Sequence, residues 1–390
     1  MSSDLVANEA GAGSAPRGPA AAPKRILTST EAGALTDDEK TGFGGAMRTA
    51  ADAVAGPVER AGRTLREAVR LLREARPPLW SGLVGDAPSD LEPEIAEGAR
   101  FEKREFSSDA GGRDYRLYVP SPAAGTPRAL ILMLHGCKQN SEDFAIGTGM
   151  NDQAEAEGLV LVYPRQPSAR NASSCWNWFR ASDQGRDEGE PAILAGMTRA
   201  VAEEFGIPPE RIFVAGLSAG GSMAAILAET YPDLFAAAGI HSGVPTGVAK
   251  DLSSALAAMR GKASPEAVPD ESSDGSPGGS AAESLAGASG PTGRRIVFHG
   301  IEDDVVHSAN AGRLLPAAIR AAPRQVGRTE GGRVYHRLAL ESGDGRPESE
   351  LWLIEGAGHA WSGGRSPGSF TDPAGPDASA EMVRFFLGRP

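Results

Sequence analysis

The chain has 390 residues, 40% hydrophobic and 23% charged, enough for one large α/β domain with extensions or for two small domains. Its formal charge of -12 argues against nucleic acid and anionic membrane surfaces as partners, because both reward Lys and Arg. No run reaches the roughly eighteen uninterrupted apolar residues of a membrane-spanning helix, and two cysteines, Cys137 and Cys175, are too few for a disulfide scaffold or a four-ligand zinc site.

Residues 1–45 are rich in Ala, Gly, Ser and Pro and show no apolar period, so they read as a disordered extension. They carry neither a basic n-region nor an apolar h-region, which reads as no secretory signal and, on sequence alone, a cytoplasmic protein. Residues 46–76 place Val58, Ala61, Leu65, Val69 and Leu72 at three- and four-residue steps between Arg and Glu, the pattern of an amphipathic helix. It reads as a solvated helix docking on its own domain or on a partner subunit. The sharper alternative is a helix that binds a membrane or a polymer granule.

A catalytic domain is expected over 80–390, its first β-type runs at 101–106 and 113–119. The run at 129–136 is continuously apolar and ends in glycine, as a buried parallel strand does. A helical stretch over 141–157 leads to a buried strand at 159–164, and a helix at 190–206 leads to another at 211–216. A helix over 218–230 follows at once, then apolar strands at 236–243 and 294–300, a last strand at 348–359 and a closing helix at 378–386. This alternation predicts a mostly parallel central sheet with helices on both faces. Residues 263–293, rich throughout in Ser, Gly, Pro, Ala and acidic groups, interrupt it as a flexible insertion.

The chemistry-bearing pattern is Gly216-Leu217-Ser218-Ala219-Gly220, a G-x-S-x-G set between a strand and a helix. Serine at such a turn holds its hydroxyl out at the sheet edge, but it needs a histidine base oriented by a carboxylate. The chain order in α/β-hydrolases, Ser then acid then His, selects His359, in a glycine-rich loop after the last strand, from six histidines. His135 lies near the oxyanion site, and His241 and His299 end strands. For the acid, Glu302, Asp303 and Asp304 follow the preceding strand and composition does not separate them. An oxyanion needs preorganised N–H donors. Ala219, just after the nucleophile, is one candidate, and Cys137, in the segment after 129–134, is the other, ahead of Gly136.

Several long motifs in order, at 134–151, 173–179, 216–235, 241–244 and 356–386, resemble the polyhydroxyalkanoate (PHB) depolymerase family of esterases within the α/β-hydrolase superfamily. The resemblance covers residues 80–386 apart from the insertion. It implies a nucleophile at Ser218, a base at His359 and an oxyanion residue at Cys137. The family's H-G-x-x-D-x-x-V pattern falls on His299, Gly300, Asp303 and Val306, which makes Asp303 the implied acid. Secreted members commonly bridge the cysteines that match Cys137 and Cys175, whereas a cytosolic protein would keep both thiols reduced.

Trp176, Trp178 and Trp361 are candidate substrate walls, with core packing as the alternative, above all for Trp176. The resemblance implies carboxylic ester hydrolysis without metal or organic cofactor. The substrate it implies is a short-chain hydroxyalkanoate polyester, with feruloyl or acetyl esters on plant polysaccharide as the main alternative. A non-catalytic hydrolase-fold binding protein is the rival of another class, and the presence of both Ser218 and His359 weighs against it.

Overall fold

The computed structural model describes residues 27–28, 91–262, 291 and 293–389. The amphipathic pattern at 46–76, the rest of 1–45, residues 80–90 and nearly all of 263–293 lie outside the described residues. A two-residue strand, β1 (Leu27–Thr28), pairs antiparallel with β2 (Arg100–Ser108), which forms a hairpin with β3 (Gly111–Val119). Next come β4 (Ala129–Leu134), helices α1 (Ser141–Thr148) and α2 (Met150–Glu157), and β5 (Leu159–Pro164). Helix α3 (Gly189–Phe205) leads to β6 (Ile212–Leu217), α4 (Ala219–Thr230), β7 (Ala237–His241) and α5 (Leu252–Met259). The chain finishes with β8 (Arg294–Gly300), β9 (Arg324–Arg328), β10 (Val334–Glu341), β11 (Pro347–Ile354), the short pair β12 (Trp361–Ser362) and β13 (Thr371–Asp372), and α6 (Ala378–Phe386).

Eleven strands form one sheet in the order β1-β2-β3-β5-β4-β6-β7-β8-β11-β10-β9. The six from β5 to β11 run parallel, and the flanks on both sides are antiparallel. This is the mostly parallel sheet that the strand–helix alternation predicts, in the α/β-hydrolase arrangement that the resemblance implies. Strands β4, β5 and β6 are buried along their whole length, which is why they read as unbroken apolar runs. Their side chains alternate between two cores. Leu130, Leu132, Val160, Val162, Ile212 and Val214 pack on the α3–α4 face. Ile131, Met133, Leu161, Phe213 and Ala215 pack on the face of α1, α2 and α6.

From β4 the chain moves outward to β5 and then returns across β4 to β6, so the strand order reverses at β4 and β6. In open α/β sheets the crevice at the carboxyl ends of such a pair is where ligands bind.

Two expectations change, and one helix, α5, falls outside the expected elements. The helical stretch 141–157 is two helices, because Gly149 adopts a left-handed conformation (φ 59°) that ends α1. The last strand stops at Ile354, and 355–360 form the loop that carries His359. Helix α5 has no strong apolar stripe, but Asp251 caps it with a reciprocal capping box to Ser254, enough to start a short Ala-rich helix. No helix among the described residues is long and apolar enough to cross a membrane.

Candidate active site

Ser218 follows β6 directly and precedes α4, with φ 57° and ψ -118°, a conformation that costs on the order of 1–3 kcal/mol for a non-glycine residue. The surroundings hold it there. Its N–H donates to the His241 carbonyl at 2.8 Å, and its carbonyl accepts from Ser222 N–H at 2.9 Å. The flanking glycines answer to close backbone approach. A Cβ on Gly220 would lie 2.0 Å from the Leu134 carbonyl oxygen, and one on Gly216 would lie 2.4 Å from the Gly220 carbonyl. The sharp turn exists because no side chain occupies either position.

Of the three competing carboxylates, Glu302 and Asp304 are exposed and Asp303 is buried. Asp303 Oδ2 accepts a 2.7 Å hydrogen bond from His359 Nδ1, while Oδ1 accepts from the backbone N–H groups of Val305 (3.0 Å) and Val306 (2.8 Å). Burial pushes this carboxyl up. The hydrogen bond and charge of His359, the charge of His299 and the Val306 N–H outweigh it and hold it below the usual carboxylate range. His299 stands beneath this cradle, its Nε2–H donating to the Val306 carbonyl at 2.7 Å. Ser218 and His359 line one cavity of about 160 Å³ with Cys137, Gln139, Val305 and Phe370.

The loop after β4 is fixed from several sides. Trp176 Nε1–H donates to the His135 carbonyl (3.1 Å), and Gly136 N–H donates to Gln139 Oε1 (2.9 Å). His135 Nδ1–H donates to the Gly136 carbonyl (2.8 Å), and its Nε2 accepts from Gln166 N–H (3.1 Å). Because a trans peptide points its C=O and N–H in opposite directions, pinning the Gly136 carbonyl also aims the Cys137 N–H. The Gly136 and Lys138 amides are both committed, the latter to the Ser173 carbonyl at 2.7 Å. That removes Gly136 as a donor and leaves Cys137 as the oxyanion candidate in this loop beside Ala219. Cys137 is joined by a disulfide to Cys175, 38 residues on, which ties this loop to the tryptophan segment.

Gln139 went unread in the sequence. Its Nε2–H₂ donates to Asp143 Oδ2 (2.9 Å) and to the Ser369 carbonyl (3.2 Å), connecting the donor loop to the segment that carries Phe370. His241 also links two parts, since its carbonyl holds Ser218 N–H and its Nε2 accepts from Ser362 N–H (3.0 Å) in the chain after His359. Burial lowers the His241 imidazole to about 3 and the His135 imidazole to about 4, so both are neutral scaffolding at physiological pH.

The tryptophans divide. Trp176 is fully buried behind His135, and Trp361 is 1% exposed, edge-on to Phe144, stacked on His241 and bonded through Nε1–H to Ser379 Oγ. Neither is a substrate wall, because their indole N–H groups find partners in the core. Trp178 does line a cavity beside Ser218, of about 140 Å³, with Phe179 and residues of α5. The remaining apolar walls are Leu217, Met259, Val305 and Phe370, none of which the sequence marks out as a substrate wall.

Comparison with known proteins identifies a family for the chain. The family model for esterase PHB depolymerase matches residues 113–325, more than half of the chain. The poly(3-hydroxyalkanoate) depolymerase C of Paucimonas lemoignei is 31% identical over 260 residues, covering 65% of this chain and 60% of that protein. An acetylxylan esterase of Coprinopsis cinerea is 28% identical over 153 residues, covering 39% of this chain and 40% of that protein. Feruloyl esterase B of Neurospora crassa is 32% identical over 127 residues, covering 32% of this chain and 42% of that protein. The chain thus spans three fifths or less of the length of these relatives.

Proposed function

The chain belongs to the PHB depolymerase family of esterases, and on that premise we propose that it hydrolyses carboxylic esters of aliphatic hydroxy acids through Ser218, His359 and Asp303. The observation that carries the reading is the 2.7 Å hydrogen bond between buried Asp303 and His359, with His359 and the strained Ser218 turn lining one cavity.

In the proposed reaction His359 Nε2 takes the Ser218 proton as Oγ adds to the ester carbonyl, while Asp303 stabilises the imidazolium. The N–H groups of Cys137 and Ala219 receive the oxyanion. The imidazolium returns its proton to the departing alcohol, the C–O bond breaks, and an acyl-enzyme remains. Water, deprotonated by His359, then releases the acid and restores Ser218.

For the substrate, the character of the walls favours short-chain polyester. Leu217, Met259, Val305 and Phe370 on one side and Trp178, Phe179 and Val244 on the other present apolar surface. A polyester is aliphatic on both sides of its scissile bond, whereas a polysaccharide ester has a polyol on one side that would leave its hydroxyls unpaired against such walls. The acetyl and feruloyl relatives keep the carbohydrate-ester reading as the second choice. The test compares release of 3-hydroxybutyrate from polyester with release of acetate and ferulate from esterified xylan, with Ser218→Ala as control. Full activity of Ser218→Ala on every ester would refute the mechanism, and preference for xylan esters would reverse the substrate choice.

A further inference from the structure

Two apolar cavities meet at Ser218, and both reach Cys137 and Met259, yet only the first, of about 160 Å³, is lined by His359. The second, of about 140 Å³, lies against Ala219 and Ser222 of α4 and is closed by Trp178, Phe179, Leu256 and Met259, with Leu252 at its rim. Resting on the esterase reading above, we propose that this second cavity is the acyl subsite. Helix α5 then sets which acyl chain the enzyme accepts, and the His359 cavity takes the leaving alcohol.

The assignment follows from where the proton has to go. The alcohol oxygen leaves only when protonated by the imidazolium, so that oxygen and the chain attached to it must lie on the His359 side. With the carbonyl carbon held over Ser218 and its oxygen on the Cys137 and Ala219 N–H groups, the remaining substituent, the acyl chain, points away from His359. The α5 cavity lies on that side.

Its contents fix the chemistry. Trp178 and Phe179 meet edge to face with ring centroids 5.8 Å apart, forming a rigid aromatic wall opposite α5. Beside the nucleophile, the hydroxyl on the floor is Ser222 Oγ, which is already engaged, accepting from Val244 N–H at 2.9 Å and donating to the Ser218 carbonyl at 3.2 Å. No charged group among the described residues lines the cavity. A saturated chain is the occupant such walls recognise, since a carboxylate or several hydroxyls would be stripped of water without replacement. At the roughly 30 Å³ that one water occupies in the liquid, the volume holds at least four or five groups of methylene size. The enzyme should therefore favour acyl chains of about four to six carbons over acetyl, gaining about fourfold in kcat/KM for each methylene buried.

The test uses the full-length chain and two series of soluble esters. One series varies the acyl group from acetate to octanoate on a fixed p-nitrophenyl leaving group, and the other varies the alcohol on a fixed butyrate. Ala255→Phe, which fills the cavity from α5, should cut the hexanoate-to-acetate ratio of kcat/KM at least tenfold and leave the order of the alcohol series unchanged. Leu252→Trp, at a position 40% exposed, applies the same test at the rim if the buried substitution does not fold. An unchanged acyl ratio in folded variants, or a change confined to the alcohol series, overturns the assignment. A wild-type enzyme inactive on every ester would instead refute the underlying function, so the two failures are distinguishable.

Discussion

Exchanging one oxygen for an NH₂ group at Asp303 should abolish most of the activity without disturbing the fold. In Asp303→Asn the carbonyl oxygen must face the Val305 and Val306 N–H groups, because the reverse orientation would set the amide NH₂ against two backbone donors at 3.0 and 2.8 Å. The NH₂ is thereby turned toward His359 Nδ1, now 2.7 Å from the Oδ2 position. Two donors cannot share that contact. The imidazole escapes by moving its proton to Nε2, the nitrogen that has to accept the Ser218 proton.

A base held in the wrong tautomer costs about 10⁴ in kcat, equivalent to about 5.4 kcal/mol of transition-state stabilisation at 1.36 kcal/mol per decade. The assay is initial-rate kinetics on p-nitrophenyl butyrate between pH 7 and 9, with thermal unfolding followed in parallel. The fall should appear in kcat, with KM changed by no more than about threefold because the cavity walls are untouched. Glu302→Gln, at an exposed neighbouring carboxylate, should stay within about twofold of wild type. An Asp303→Asn enzyme within tenfold of wild type, or a loss residing in KM, would show that the tautomer argument is wrong.

The remaining predictions concern the scaffold. His135 and His241 are held neutral with folded values near 4 and 3, so between pH 6.5 and about 4 the unfolded chain binds protons that the native one does not, and stability falls as pH falls. At pH 5 each should cost about 2 kcal/mol relative to neutral pH. Urea unfolding should therefore give about 4 kcal/mol less at pH 5 than at pH 8, and equal values would refute this reading of the buried imidazoles. Cys175→Ser opens the link to Cys137 across 38 residues and should cost about 4 kcal/mol on the loop-entropy model. It should also lower kcat, because the Cys137 amide loses an anchor. Unchanged melting temperature and unchanged kcat would leave the bridge without a role in either.

Most of the sheet was legible because its central strands are buried on both faces, so that 129–134, 159–164 and 212–217 are unbroken apolar words in the sequence. The serine turn was legible for a steric reason, since a Cβ on Gly220 would lie 2.0 Å from the Leu134 carbonyl oxygen and only glycine fits. Asp303 was separable from Glu302 and Asp304 only by resemblance, because the difference between them is burial and register in a loop, which composition does not encode.

The tryptophans misled for a related reason. Trp176 and Trp361 sit beside site residues in sequence, but their N–H groups turn into the core, to the His135 carbonyl and Ser379. Gln139, which holds the Gly136 amide, lies inside the 134–151 motif with nothing there to single it out, and α5, which walls the second cavity, left no signal. One is a single polar residue and the other a short Ala-rich helix.

The order of the chain also separates two properties. Everything proposed to break and make bonds hangs from the ends of β4, β6, β8 and β11, whereas α5 belongs to the excursion between β7 and β8. That excursion also contains the Ser- and Gly-rich residues 263–293, and added length in a connection between two strands costs little free energy. A lineage could therefore exchange this excursion, or an engineer could graft one from a relative, and alter which acids are released while inheriting the hydrolytic apparatus intact. On the proposed assignment, the acyl preference is open to variation while the reaction stays constant.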